Sequence, residues 1–202
     1  MNSEELAKRD AEFFAALAKD KTLTREKWNK SFKVLKTIKT PYQFPISPEH
    51  LKKTYTLLQQ YCEKFPNVNT PNLVFSGATG TGKTFAATTI RDALKARKFR
   101  IEYTTAFGMV NAFFKFDVDH FINCDLLIID DLGSEPVAKN ISQEYIYAII
   151  NERLVHQRPF IITTNLDPVG IMERYDQRIA SRILAKETST VIAFTGKDLR
   201  LN

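Results

Sequence analysis

Residues 77–84 read Gly-Ala-Thr-Gly-Thr-Gly-Lys-Thr. Glycines at this spacing let a backbone curl round an anion with its amides pointing inward at the start of a helix. Lys83 can then reach the β- and γ-phosphates of a nucleoside triphosphate, and the Thr84 hydroxyl can ligate Mg²⁺. Gly77, Thr79, Gly80, Thr81, Gly82 and Phe85, the residue that follows, complete the expected phosphate cradle. A second group lies further on, where the apolar run Leu126-Leu127-Ile128-Ile129 ends in Asp130-Asp131. A carboxylate at the first position suits the hydration shell of Mg²⁺, and one at the second can orient or deprotonate an attacking water. Asp131 is a departure, because many hydrolytic sites carry Glu there; the shorter side chain points to slow turnover. Thr163-Thr164-Asn165 supplies a third group, with the Asn165 amide able to hold that water or sense the γ-phosphate. Together these residues imply ATP and Mg²⁺ as ligands. They disfavour a small-molecule kinase, in which Asp131 and Asn165 have no evident use.

Such a cradle needs a strand before it and a helix after it. Asn72–Ser76 is apolar and strand-like, and the run from 84 to 98 has helical spacing. Further strand-type runs lie at 100–105, 125–130, 159–164 and 189–195, with helical segments at 106–116, 141–157 and 168–186. Strands alternating with helices predict an α/β fold, a five-stranded parallel sheet flanked by helices. Ahead of the first strand, Ser47-Pro48-Glu49 reads as a helix start and the helix is expected to run to about Phe65. The Pro-rich stretch 40–48 separates it from a short helical extension in which Leu6, Phe13, Phe14 and Leu17 recur at near-helical spacing. The expected division is an extension at 1–45 and an ATPase domain at 46–202, with no C-terminal lid domain.

The chain has 202 residues and a formal net charge of +6. It carries no apolar run of membrane-spanning length and no signal-like N-terminus, so a cytoplasmic protein is expected. Cys62 and Cys124 form no metal or redox spacing and read as small buried residues. Residues 19–40 hold eight Lys or Arg against two acids, a solvated basic face or a contact for an anionic partner. Arg174, Arg178 and Arg182 recur at intervals of four on the segment expected to be the last helix, and so along one face. Guanidinium groups in register suit a γ-phosphate bound by a neighbouring subunit, or else ion pairs with Glu173 or Asp176.

With these residues in view, the chain resembles the DnaC/DnaI replicative helicase loaders within the AAA+ (ASCE-type P-loop) ATPases. The resemblance covers roughly residues 70–202 and rests on GATGTGKT, LLIIDDLGSEP (126–136), INERL (150–154), TTN (163–165), YDQRIASRI (175–183) and FTGKDLR (194–200). It implies ATP-dependent binding to a DnaB-type helicase and assistance in loading it onto single-stranded DNA in replication initiation. It also implies that Arg182 is the first candidate for an arginine finger acting in trans and Arg178 the second, with Arg200 in a terminal basic motif. The sheet order it implies places the strand of Asn165 between the two motif-bearing strands. Residues 105–121 occupy the place of a helical element that touches single-stranded DNA in such proteins. There Phe113, Phe114 and Phe116 would suit base stacking and Lys115 a phosphate contact, or the aromatics serve as core; loss of oligonucleotide anisotropy on substituting Lys115 and Phe116 separates the two.

Residues 1–30 are too few for an independent core and read as a helicase-docking segment or as packing on the ATPase. Two alternatives share the ATP site: an IstB-type transposition helper ATPase, and a nucleotide-gated single-stranded-DNA adaptor with little hydrolysis.

Overall fold

The computed structural model describes residues 48–114, 117–135, 141–196 and 198. Helix α1 (Pro48–Lys64) leads into strand β1 (Asn72–Ser76), and the glycine-rich loop then opens α2 (Lys83–Ala96). Strand β2 (Ile101–Thr105) passes directly into α3 (Ala106–Phe114), followed by the short α4 (Asp119–Asn123) and β3 (Leu126–Leu132). Helix α5 (Ile141–Val155), β4 (Phe160–Thr164), α6 (Pro168–Arg174), α7 (Gln177–Ile183) and β5 (Ser189–Ala193) complete the described chain.

All five strands pair in parallel in the order β2-β3-β4-β1-β5. The strand of Asn165 therefore lies between those that lead into the loop and into the aspartates, as the resemblance implies. Alternate residues of each strand point to opposite faces. Leu73, Phe75, Leu126, Ile128 and Ile161 accordingly join one apolar layer with α1 and α2. Val74, Leu127, Ile129, Phe160 and Ile162 join the other, with residues of α3 to α7. Burial on both sides explains why β3 and β4 read as unbroken apolar runs rather than alternating ones.

Two features hold the far ends of these layers. Arg153 of α5 is fully buried, and its guanidinium donates to the carbonyls of Phe121 (2.6 Å), Cys124 (3.2 Å) and Pro159 (2.5 Å). Desolvation pushes its pKa down, and the carbonyl cage offsets part of that cost. Arg97 binds the carbonyls of Cys62 and Phe65 and so ties the end of α1 to the end of α2. Both cysteines are buried free thiols.

The structure corrects the predicted helix at 168–186, which is two helices. Tyr175 and Asp176 are extended, with ψ 156° and 163°, and cannot continue α6. The Asp176 carboxylate accepts the Ile179 amide at 2.9 Å and starts a new helix instead. Arg174 therefore does not share a helix face with Arg178 and Arg182. Of the segment predicted as helix at 106–116, α3 covers Ala106–Phe114, and α4 is a separate turn that the sequence pattern does not predict. Strand β3 continues two residues past 130. The extension at 1–45, Ser47, Lys115, Phe116 and Arg200 lie outside the described residues. Phe113 and Phe114 end α3, and the structure describes their backbone alone.

Candidate nucleotide site

The site begins with the backbone of the loop. Gly80 and Gly82 have φ of 78° and 98°, a region that a side chain makes costly. Gly77 has φ 151°, and a Cβ there would come within 2.0 Å of the Phe194 carbonyl, so the loop must be bare where it crosses the segment after β5. Gly82 is the N-cap of α2 and has no side chain to accept a hydrogen bond from the first-turn amides. Amides so presented, with the positive end of the helix dipole behind them, suit an anion. The Thr81 hydroxyl donates to the Ala78 carbonyl at 2.8 Å and braces the turn, whereas Thr79 is exposed. Phe85 follows in the first turn of α2 and is 40% exposed.

Lys83 is buried, and its ammonium donates to the carbonyls of Gly77 (2.6 Å) and Ala78 (2.7 Å) and to Asn165 Oδ1 (2.9 Å). Asn165 Nδ2 in turn donates to Asp131 Oδ1 at 3.2 Å. The Thr84 hydroxyl donates to Asp130 Oδ1 at 2.9 Å. The loop, the end of β4 and the end of β3 thus form one hydrogen-bonded group, and it contains Lys83, Thr84, Asp130, Asp131 and Asn165.

That both aspartates join it needs explaining, because neighbouring residues of a regular strand face opposite sides. The pairing of β3 with β4 slips between Ile129↔Ile162 and Leu132↔Thr164, so Asp130 and Asp131 together oppose Thr163. This is a bulge, and at it Asp131 adopts φ 57°. Asp tolerates the left-handed region better than most residues, yet such a conformation still costs on the order of 1 kcal/mol. Thr163 pins the bulge: its hydroxyl donates to Asp130 Oδ1 at 2.6 Å and accepts the Asp131 amide at 2.9 Å.

Tyr103 of β2 completes the surroundings of Asp130, its hydroxyl donating to Oδ2 at 2.6 Å. Burial, and then this bond to an acceptor that a phenolate would repel, push the Tyr103 pKa well up. Asp130 therefore receives hydroxyls from Thr84, Thr163 and Tyr103. Rotatable hydroxyls around a carboxylate make an oxygen-only donor set that suits a hard divalent cation sharing its shell with phosphates. Among the described residues no group of three or more His, Cys, Asp and Glu could hold a metal by itself. Sequence reasoning passed over Tyr103, Thr163 as a pin, and Glu135. The first is a lone aromatic in a strand, and only the β2–β3 pairing brings it to Asp130.

The arginines divide. Arg174 turns inward, donating from Nη2 to the Glu135 carbonyl at 2.7 Å. Arg178 and Arg182 both lie over the Tyr147 ring of α5, at 4.9 and 4.7 Å from its centroid. Arg178 also pairs with Asp176 and Glu144, each at 2.7 Å, and these acids raise its pKa. Arg182 donates to Asn151 Oδ1 at 3.0 Å and to the Arg178 carbonyl. Among the described residues their partners lie on α5, on α7 and at the α7 cap, and none of them belongs to the phosphate loop. Arg178 is exposed and Arg182 half-buried.

The model of the IstB-like ATP binding protein family matches residues 19–188, and the chain belongs to that family. YqaM, an uncharacterised protein of Bacillus subtilis, is 24% identical over 169 residues, covering 77% of this chain and 54% of that protein. An ATP-binding protein of insertion sequence IS5376 from Geobacillus stearothermophilus is 31% identical over 102 residues, 46% of this chain and 40% of that one. The chain thus spans about half, or less, of these curated relatives. The crystal structure of the DnaC helicase loader superposes with a TM-score of 0.63 at 20% identity, covering 72% of this chain and 90% of that chain. At that identity the likeness is one of fold: a five-stranded parallel sheet flanked by helices.

Proposed function

We propose that this member of the IstB-like ATP binding family is an ATP-driven assembly factor. In this reading it binds a DnaB-type replicative helicase and assists its loading onto single-stranded DNA. The observation that carries the proposal is the hydrogen-bonded path from Lys83 through Asn165 to Asp131, beside Thr84 and Asp130. A path linking the phosphate-binding lysine to the candidate base gives the chain a means of registering the γ-phosphate. The likeness in fold to the DnaC helicase loader supports the choice of partner.

Each residue has a task. The loop amides of 77–82 and Lys83 hold the triphosphate, and Thr84 and Asp130 would hold Mg²⁺. The cation supplies charge neutralisation of the β- and γ-phosphates. Asp131 accepts a proton from the attacking water, and Asn165 orients that water. Arg182, with Arg178 second, stabilises the transferring phosphoryl group from a neighbouring subunit. Arginines stacked on a ring of α5, with no partner in their own phosphate loop among the described contacts, suit a subunit arranged head to tail with the next.

A second reading is a helper ATPase for transposition, favoured by the family description and by the insertion-sequence relative. Tagged chain loaded with ATP and incubated with the host's replicative helicase and, in parallel, with a transposase separates the two. Capture of the helicase, lost on deleting residues 1–30 while ATP binding persists, is expected. Capture of the transposase alone would replace the first reading by the second. Single-turnover hydrolysis with and without single-stranded DNA tests whether the ATP is turned over or only gates binding.

A further inference from the structure

Glu135 takes no part in the chemistry above, yet its carboxylate joins two segments that do. Only 4% of the residue is exposed. Its Oε2 accepts the Gly133 amide at 2.8 Å, and its Oε1 accepts the Tyr175 hydroxyl at 2.5 Å. Arg174 lies 3.5 Å from Oε1 and donates to the Glu135 carbonyl. A buried carboxylate is costly, and an apolar side chain would fill the same space more cheaply. Its partners therefore indicate what it is for.

On one side stands the loop after β3. Gly133 is two residues beyond Asp131 and has φ 102°. A Cβ there would lie 3.0 Å from Leu166 Cδ1, so the loop is seated against the residue that follows Asn165. On the other side stands the break between α6 and α7. Tyr175 is buried at that break, and the next residue, Asp176, caps the helix that carries Arg178 and Arg182. Gln143 of α5 fixes the same corner by donating to the Arg174 carbonyl at 2.9 Å.

We infer that Glu135 is a positioning residue that couples the γ-phosphate end of the nucleotide site to the arginine face of α7. Movement of the bulge at Asp130–Asp131 passes along the chain to the Gly133 amide and Oε2, and from Oε1 through Tyr175 to the Asp176 cap. The arginines offered to a neighbour thereby depend on the nucleotide held by their own chain. The inference rests on the proposed roles of Asp131 and Asn165. It extends them from hydrolysis to control of the surface presented to the next subunit. Coupling of this kind needs an element with two arrangements, and a helix joined to its predecessor through two extended residues can supply one.

Hydrogen exchange of the 175–183 segment, with and without Mg-ATP, tests it on the full chain. ATP affinity and the thermal midpoint are measured alongside for wild type, Glu135→Gln and Tyr175→Phe. In wild type, ATP is expected to slow exchange of these amides about tenfold, within the usual range of coupling between sites. In both variants the affinity for ATP persists and the exchange response disappears. Should Glu135→Gln fail to fold, Tyr175→Phe, which lacks only one hydroxyl, carries the test. Wild type that binds ATP without a response at 175–183, or variants that keep the response, overturn the coupling and leave the nucleotide reading intact. Wild type that binds no ATP removes the nucleotide reading and the coupling with it.

Discussion

The left-handed φ of Asp131 turns two neighbouring carboxylates to one purpose. In a regular strand one of them would face away; at the bulge Asp130 meets Thr84 while Asp131 meets Asn165. A conformation that costs energy and is held by Thr163 on both sides marks a site where geometry outranks stability. Replacing Asp131 by Asn keeps the size and the tolerance for this conformation but removes the base. Turnover should fall about 100-fold or more, with ATP affinity unchanged in a fluorescent-nucleotide titration; unaltered turnover would remove Asp131 from the mechanism. The residue types of this site were legible in the sequence, because Lys83, Thr84 and Asp130 sit in motifs whose spacing carries their chemistry. Tyr103 and Glu135 were not, because their partners lie 27 and 40 positions away, on Asp130 and Tyr175.

Among the elements, the pair α6–α7 departs furthest from expectation. Arginines at intervals of four predict one continuous face, but Asp176, a cap residue in the middle of the run, starts a new helix. Arg174 belongs to the helix before the break and turns to Glu135, whereas Arg178 and Arg182 share the Tyr147 ring. The strands were easier to read, since a parallel sheet buried on both faces leaves unbroken apolar runs with little ambiguity. Asp176→Ala should destabilise the chain by about 1 kcal/mol in urea unfolding. Slight desolvation raises the Asp176 pKa, but the Ile179 amide and Arg178 outweigh it, and the net shift is downward. The contribution is therefore fully present above the ordinary Asp value of 3.8 and fades as pH falls through the lower folded value. Wild type and variant should converge in stability at strongly acidic pH; a difference that persists there would mean that the carboxylate is not what holds the break.

At the scale of the whole molecule, the order β2-β3-β4-β1-β5 brings the loop, the aspartates and Asn165 to one edge, the carboxyl ends of the central strands. The arginines of α7 contact Asn151 and Tyr147 of α5, and in the proposed mechanism they act on the nucleotide of a second copy of the chain. Complementation between two inactive variants measures whether a second copy of the chain completes the site. Lys83→Ala removes ATP binding but keeps Arg182; Arg182→Ala keeps ATP binding but lacks the finger. Each alone, with single-stranded DNA, should hydrolyse ATP at no more than about one hundredth of the wild-type rate, the usual loss on removing one phosphoryl-stabilising group. Mixed in equal amounts, they should recover a substantial fraction of wild-type activity, because the finger of one subunit meets the nucleotide of the other. A mixture as inactive as its parts, or an Arg182→Ala protein as active as wild type, would rule out completion in trans by Arg182.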